Sequence, residues 1–218
     1  MDESKGKKLA VIFGSNSTIA SWIKNELDTL DIHYLNVSRK PRNKNDLYAD
    51  ATSYENVLNA YKEIRKNFKK IDSIYYCCGS VVTKTIENSN PKSWINDINV
   101  NLIGAYNVFR AFNDLDFTNN KIRFIFIGST ASISKPKNVS AYSIAKLALE
   151  QLVTYINNET RNTLRACCIR LGTSKTEFYG AQDLEMAANN KDIANAIHFI
   201  ENARVETLPD LISIRPIL

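Results

Sequence analysis

Short apolar runs alternate with segments whose apolar residues recur at helical spacing along almost the whole chain. Lys8 to Phe13 (KLAVIF) is apolar and stops at Gly14, and behind it Ile19, Trp22, Ile23, Leu27 and Leu30 mark one helix face. Strand, turn and helix are predicted there. Ile32 to Val37 predicts a second strand, Asp46 to Ala51 a short third, and Tyr54 to Phe68 a helix carrying Val57, Leu58, Tyr61, Ile64 and Phe68 on one side. Ile71 to Cys78 predicts a fourth strand closed by Gly79, Trp94 to Phe112 a long helix, and Lys121 to Ile127 a fifth strand closed by Gly128. A helix over Ala141 to Asn157, a sixth strand over Leu164 to Ile169, helical segments over Thr176 to Ala203 and a last strand near Leu211 to Ile214 complete the pattern. Such alternation predicts an α/β fold: a doubly wound parallel sheet of about seven strands, helices on both faces, right-handed crossovers.

Composition narrows the class. With 218 residues, 44% of them hydrophobic, the chain can build one well-buried core, so residues 1–218 are expected to form a single domain with a flexible lead-in over 1–7. Twenty-eight Lys and Arg against 23 Asp and Glu leave a net charge of +5. That mild excess lacks the segregated charge of a nucleic-acid binder, and a small-molecule or protein partner is expected instead. No run approaches the roughly 18 apolar residues that cross a bilayer, and the polar start MDESKGKK has no apolar segment behind it. A soluble, cytoplasmic protein without a membrane partner is expected. The four cysteines form adjacent pairs, Cys77-Cys78 and Cys167-Cys168, whose side chains should point to opposite faces of a strand and cannot easily bridge. A reducing compartment fits. His33 and His198 stand alone, and no metal site is predicted.

Only seven glycines occur, and four of them, Gly14, Gly79, Gly128 and Gly172, follow predicted strands. In a doubly wound sheet, ligands bind outside the carboxyl ends of the strands, so these positions imply a row of close backbone approaches to a ligand. Tyr142 and Lys146 place a phenol and an ammonium at i and i+4 on one helix face. Alone, that pair is ordinary on an amphipathic helix. Ser129 at the end of the fifth strand and Asn101 in the sequence Asn99-Val-Asn-Leu-Ile-Gly104 converge on the same crevice and give it context.

Here the chain resembles the short-chain dehydrogenase/reductase family over nearly its whole length, with the motifs in order. They are Gly14-Ser-Asn-Ser-Thr-Ile-Ala20, Tyr76-Cys-Cys-Gly79, Asn99 to Gly104, Ile127-Gly-Ser-Thr130, Tyr142-Ser-Ile-Ala-Lys146 and Leu171-Gly-Thr-Ser-Lys-Thr176. The resemblance implies a Rossmann-type fold, a nicotinamide dinucleotide and a tetrad of Asn101, Ser129, Tyr142 and Lys146. Ser129 would donate to the substrate oxygen and Tyr142 would act as the acid. Lys146 would favour the phenolate and bind the nicotinamide ribose, and Asn101 would kink its helix and hold a water. It also implies cofactor contacts at Gly14, Asn16, Ser17, Thr18, Ile19, Asp50, Ala51, Cys78, Gly79, Gly172, Ser174 and Thr176.

An acidic residue at the end of the second strand would hydrogen-bond the adenosine ribose of NAD, but here Val37-Ser38-Arg39-Lys40 follows. Arg39 is expected to favour NADP(H) over NAD(H), since a guanidinium can fork onto the 2′-phosphate; a solvated strand-end arginine is the alternative. The family's second and third turn glycines are Thr18 and Ala20, its Asn-Asn-Ala-Gly is Tyr76-Cys-Cys-Gly79, and Leu171 stands at a usual proline. A short segment between Thr176 and Asn190 is expected to leave a more open substrate pocket.

Lys62, Arg65, Lys66 and Lys69 form a helical stripe read as a solvated face. Lys135 and Lys137 sit in the loop before Tyr142 and could meet an anionic substrate. Apolar residues on several sides of the helices over 94–112 and 141–157 suggest a homodimer or homotetramer. The expected function is reversible reduction of a carbonyl by hydride transfer from NADP(H). Two alternatives stay open: a catalytically idle NADP-binding sensor, and epimerisation or dehydration of a sugar nucleotide with no net coenzyme consumption.

Overall fold

The computed structural model describes residues 7–113, 121–160, 164–172 and 189–215. Seven strands form one parallel sheet: β1 Leu9–Phe13, β2 His33–Ser38, β3 Leu47–Tyr48, β4 Ser73–Tyr76, β5 Ile122–Ser129, β6 Leu164–Leu171 and β7 Leu211–Ile214. Their order is β3-β2-β1-β4-β5-β6-β7, which reverses direction between β1 and β4 and so creates a crevice at the switch point. Helices α1 Thr18–Thr29 and α7 Asn190–Asn202 cover one face. On the other lie α2 Tyr54–Asn67, α4 Gly104–Phe112 and α6 Ser140–Glu159, while α3 Pro91–Ile98 and the short α5 Ala131–Ser134 sit beside them. The expected doubly wound Rossmann-type architecture is what the chain forms.

Local chemistry sets the boundaries. Ser17, Ser53 and Asn90 cap α1, α2 and α3 by accepting a backbone N–H with their side chains, and Pro91 starts α3 where no amide donor is needed. The strand core is built of β-branched and aromatic residues, with Phe13, Tyr75, Tyr76, Phe124 and Phe126 among the largest fully buried side chains. Cys77 and Cys167 join the core under α1 and α7, whereas Cys168 joins the opposite core, as strand alternation requires. All four thiols are free.

Several boundaries differ from expectation. β5 and β6 run on to Ser129 and Leu171 because these two residues still pair across the ladder. β3 shrinks to Leu47–Tyr48 at the sheet edge, and β4 ends at Tyr76, leaving Cys77 and Cys78 outside the ladder. The helix predicted over Trp94 to Phe112 starts three residues earlier, at Pro91, and is interrupted around Asn101, where the resemblance implied a kink, giving α3, a π-turn at Asn99–Ile103 and α4. A π-turn widens the helix and frees backbone acceptors, and two side chains exploit that. Asn101 Nδ2 donates to Asp97 O (2.9 Å) and Ser80 O (2.6 Å), and the Tyr76 hydroxyl donates to Val100 O (2.5 Å). Of the helical stretch expected over Thr176 to Ala203, α7 is observed; 176–188 lies outside the described residues. No described helix is long and apolar enough to cross a membrane.

Candidate active site

The sheet register brings every relevant strand end to one edge. Phe13 pairs with both Val37 and Tyr76, Tyr76 with Phe126, and Ser129 with Leu171, so Gly14, Ser38, Cys77 and Ser129 emerge together. Two adjoining cavities open there and share Asn16, Ser17, Cys77, Cys78 and Gly79 in their walls. The larger, about 420 Å³, also reaches Thr18, Ile19, Ser129, Tyr142, Lys146 and Gly172. The smaller, about 300 Å³, reaches Gly14, Arg39, Asp50 and Ala51. Thus the residues expected to hold a dinucleotide fall into one bent groove, except Ser174 and Thr176, which lie outside the described residues.

The turn that opens α1 is held by its one remaining glycine. Gly14 adopts φ +74°, and a Cβ there would sit 2.7 Å from Cys78 N and 2.8 Å from Cys77 C. Only glycine satisfies both constraints. Asn16 fastens this turn to the end of β2, its Nδ2 donating to Lys40 O (2.8 Å) and Ser38 Oγ (3.3 Å). Thr18 takes the first position of α1 and lines the cavity, so the free N–H groups and positive dipole end of a twelve-residue helix face it. Replacing two glycines has therefore not filled the groove.

Ser129, Tyr142 and Lys146 meet at the other end of the larger cavity, all buried to within a few per cent of their surface. Ser129 Oγ accepts the Ala131 N–H (3.2 Å), which leaves its own proton for an outside acceptor. Lys146 Nζ donates to Ile127 O (2.7 Å) and lies 5.6 Å from the centre of the Tyr142 ring. Burial lowers the Lys146 pKa to about 8. Burial also pushes the Cys78 thiol up to about 12, so this groove-lining cysteine is a protonated, small apolar group at neutral pH. Asn101 lines neither cavity. It is fully buried behind them, holds Ser80 just past Gly79, and keeps its Oδ1 without a partner.

A cation held inside the fold costs stability. Below pH 8 the lysine is charged in both folded and unfolded chains, and the burial penalty is fully present; between about 8 and 10.5 the folded state has released a proton that the unfolded state keeps, so stability rises with pH. Lys146→Met is expected to unfold about 1–2 kcal/mol later at pH 7, since roughly 1.4 kcal/mol per pKa unit is relieved and one hydrogen bond is lost. Urea titrations at pH 7 and 9.5 check this, with the advantage of the variant shrinking at the higher pH.

Sequence reasoning missed two contributors. Arg42 lines the larger cavity beside Asn16, Ser17 and Thr18. Its backbone N–H is held by Asp46 Oδ2 (2.9 Å), which shapes the loop after β2. The signal was the local charge, Arg39-Lys40-Pro41-Arg42, with no acid between. Tyr76 stands where the family resemblance expects a strand-bridging amide, and its phenol does the bridging, from β4 to the π-turn. Gly104 leaves the room, because a Cβ there would overlap that phenol oxygen.

Fold and groove together define a Rossmann-type α/β chain with an open crevice at the switch point of its sheet. The sequence model of the short chain dehydrogenase family matches residues 8–186, and the chain belongs to that family of oxidoreductases. It is 26% identical over 185 residues to the short chain dehydrogenase tazN of Aspergillus terreus, covering 82% of this chain but 40% of that protein. An oxidoreductase of Schizosaccharomyces pombe is 25% identical over 61% of this chain and 52% of its own length, so the chain spans about half or less of these two relatives. An oxidoreductase of Staphylococcus epidermidis is 22% identical over 97% of this chain and 98% of its own. Among solved structures, the aldohexose dehydrogenase of Thermoplasma acidophilum superposes with TM-score 0.86 at 18% identity, over 96% of this chain and 92% of that one. An alcohol dehydrogenase of Thermococcus sibiricus complexed with 5-hydroxy-NADP superposes with TM-score 0.86 at 20% identity, over 97% of both chains.

Proposed function

We propose that the protein reduces a carbonyl compound, or oxidises the corresponding alcohol, using NADP(H) held in the bent groove. The observation that carries this reading is the convergence of Ser129, Tyr142 and Lys146 on one end of a cavity whose other end is the open N-terminus of α1. The groove fits a dinucleotide: its two chambers meet where Gly14 lets the β1 turn touch the Cys77-Cys78 backbone. Ser17, Thr18 and Ile19 would take the diphosphate, Asp50 and Ala51 the adenine side, and Cys78, Gly79 and Gly172 the remaining wall. The coenzyme, when bound, supplies or accepts the hydride.

The side chains handle the charge and the proton. A carbonyl oxygen placed between Ser129 Oγ and the Tyr142 phenol accepts the serine's unused O–H as negative charge builds on it. Tyr142 then gives up its proton, one O–H bond breaking as the product O–H forms, and returns to a phenolate that the Lys146 ammonium stabilises. The unpartnered Oδ1 of Asn101 would hold a water that resupplies the proton along Lys146. Residues 1–218 would act as one domain.

Arg39 is exposed at the mouth of the smaller chamber beside Lys40, where a 2′-phosphate would lie. Arg39→Asp is expected to weaken NADP+ binding about 10- to 100-fold while leaving NAD+ within about threefold, consistent with the loss of a charge-assisted fork. Fluorescence titration with both coenzymes reads it, and equal loss for both would remove Arg39 from the 2′-phosphate.

Lys135 and Lys137, exposed before α6, favour an anionic substrate. Exposed Ile103 and Tyr106 on the π-turn and α4, and Ile144, Leu147 and Tyr155 on α6, favour pairing with a second copy in a homodimer or homotetramer. Four free thiols suit the cytoplasm. The test of the activity is NADPH oxidation by purified protein against a panel of aldehydes, ketones, acyl thioesters and keto-sugar nucleotides; no turnover and no coenzyme binding would reject it.

A further inference from the structure

Tyr142, Lys146 and Glu150 follow one another at i, i+4 and i+8 along the inward face of α6. The first two serve the reaction proposed above; the third is a buried carboxylate with no part in it. Glu150 is 9% exposed and takes a two-pronged ion pair from Arg170 of β6, with Nε 2.9 Å from Oε1 and Nη2 2.6 Å from Oε2. Its Oε1 is also 2.7 Å from the hydroxyl of Ser132 on α5, and that hydroxyl lies 2.8 Å from the carbonyl oxygen of Ser129. Arg170 pairs across the ladder with Gly128, the residue before Ser129, and is itself followed by Leu171 and Gly172 of the cavity wall.

One carboxylate thus joins the three chain segments that carry the reactive end: the end of β5, the helix of Tyr142 and Lys146, and the end of β6. Each segment enters the site by a different route, and only α6 carries two of the groups. Apart from the Lys146 Nζ–Ile127 O bond, which holds α6 to β5 two residues before Ser129, no backbone hydrogen bond among the described residues fixes α6 against the Ser129 turn. Misplacing one donor by about 1 Å can cost on the order of 100-fold in rate, so a link that sets this spacing bears directly on turnover. We propose that Glu150, clamped by Arg170 and Ser132, is a positioning residue that holds the Ser129 hydroxyl at its working distance from the Tyr142 phenol. This rests on the assignment of Ser129 and Tyr142 above.

The test is a mutant cycle read as kcat with the best carbonyl compound of the panel, together with the NADPH dissociation constant. Glu150→Ala and Arg170→Ala are each expected to lower kcat about 10- to 100-fold with coenzyme affinity held within about twofold, and the double variant should be no worse than either. Glu150→Gln, which keeps the shape and an acceptor, should restore most of the rate and guards against a variant that fails to fold. In a Ser129→Ala background, Glu150→Ala should cost less than about threefold, because the group it positions is gone. An equal fall of kcat in both backgrounds, an unchanged kcat, or a parallel loss of coenzyme affinity would overturn the proposal. Wild-type protein that binds no coenzyme would instead defeat the underlying reading, whereas normal wild-type turnover with indifferent Glu150 variants would defeat this inference alone.

Discussion

Tyr142→Phe is expected to lower kcat by about 100- to 10,000-fold, the range that a positioned general acid supplies, while NADPH affinity changes by less than about threefold. The variant keeps the ring, which is 6% exposed and packs against Ala131 and Val139, so its fold and its stacking against Lys146 should persist. What disappears is the hydroxyl that, on the proposed reading, would pass a proton to a substrate oxygen held by Ser129. Ser129 cannot take over, because returning its proton would leave an alkoxide far more basic than a phenolate. Steady-state rates and coenzyme titration on the same preparation separate the two effects. A variant as active as the wild type would remove Tyr142 from the reaction.

Gly14→Ala should be strongly damaging, because it strains both the backbone and its surroundings. It adds a Cβ at φ +74°, a conformation that costs a non-glycine residue about 1–2 kcal/mol even in open space. Here the space is closed, because the new atom would press on the Cys77-Cys78 backbone at 2.7–3.0 Å. Backbone cannot swing aside as a flexible side chain can, so β1 and β4 must part at the floor of the groove. A loss of about 3 kcal/mol or more is expected by urea unfolding, adding strain to overpacking, together with loss of coenzyme binding. By contrast Ala20, at a position where the family has glycine, is buried and absorbed in the helix-sheet contact. Ala20→Gly should therefore do little for the groove, and the two positions make a direct comparison.

How much of this was legible beforehand depended on whether the signal was periodic or three-dimensional. The runs KLAVIF and KIRFIFI and the spacing of Ile19, Ile23 and Leu27 gave strands and helices because burial on one or both faces imposes its own period on sequence. Boundaries were less legible. β5 and β6 lengthen through mutual pairing that neither segment encodes alone, and β3 shortens because an edge strand has one partner. The apolar pattern over Trp94 to Phe112 is unbroken and only the family resemblance implied a kink at Asn101; there the helix opens into a π-turn, where the Tyr76 phenol donates to Val100 O and the Asn101 amide donates to Asp97 O and to Ser80 O of the loop after Gly79.

The site divides in the same way. Tyr142 and Lys146 are readable as a pair, since four residues on a helix bring them to one face whatever surrounds them. Arg42, Tyr76 and the Glu150–Arg170–Ser132 clamp are not, because each acts across a gap between chain segments that lie far apart in sequence. By itself the sequence determined the alternation of elements, the family and the order of its motifs, for these follow from local spacing and from which side chains must leave water. The depth of Lys146, the close approach of Gly14 to the Cys77-Cys78 backbone and the burial of Asn101 behind the groove were decided only when the strand ends were drawn to one edge, where packing and desolvation act between parts of the chain that no local pattern connects.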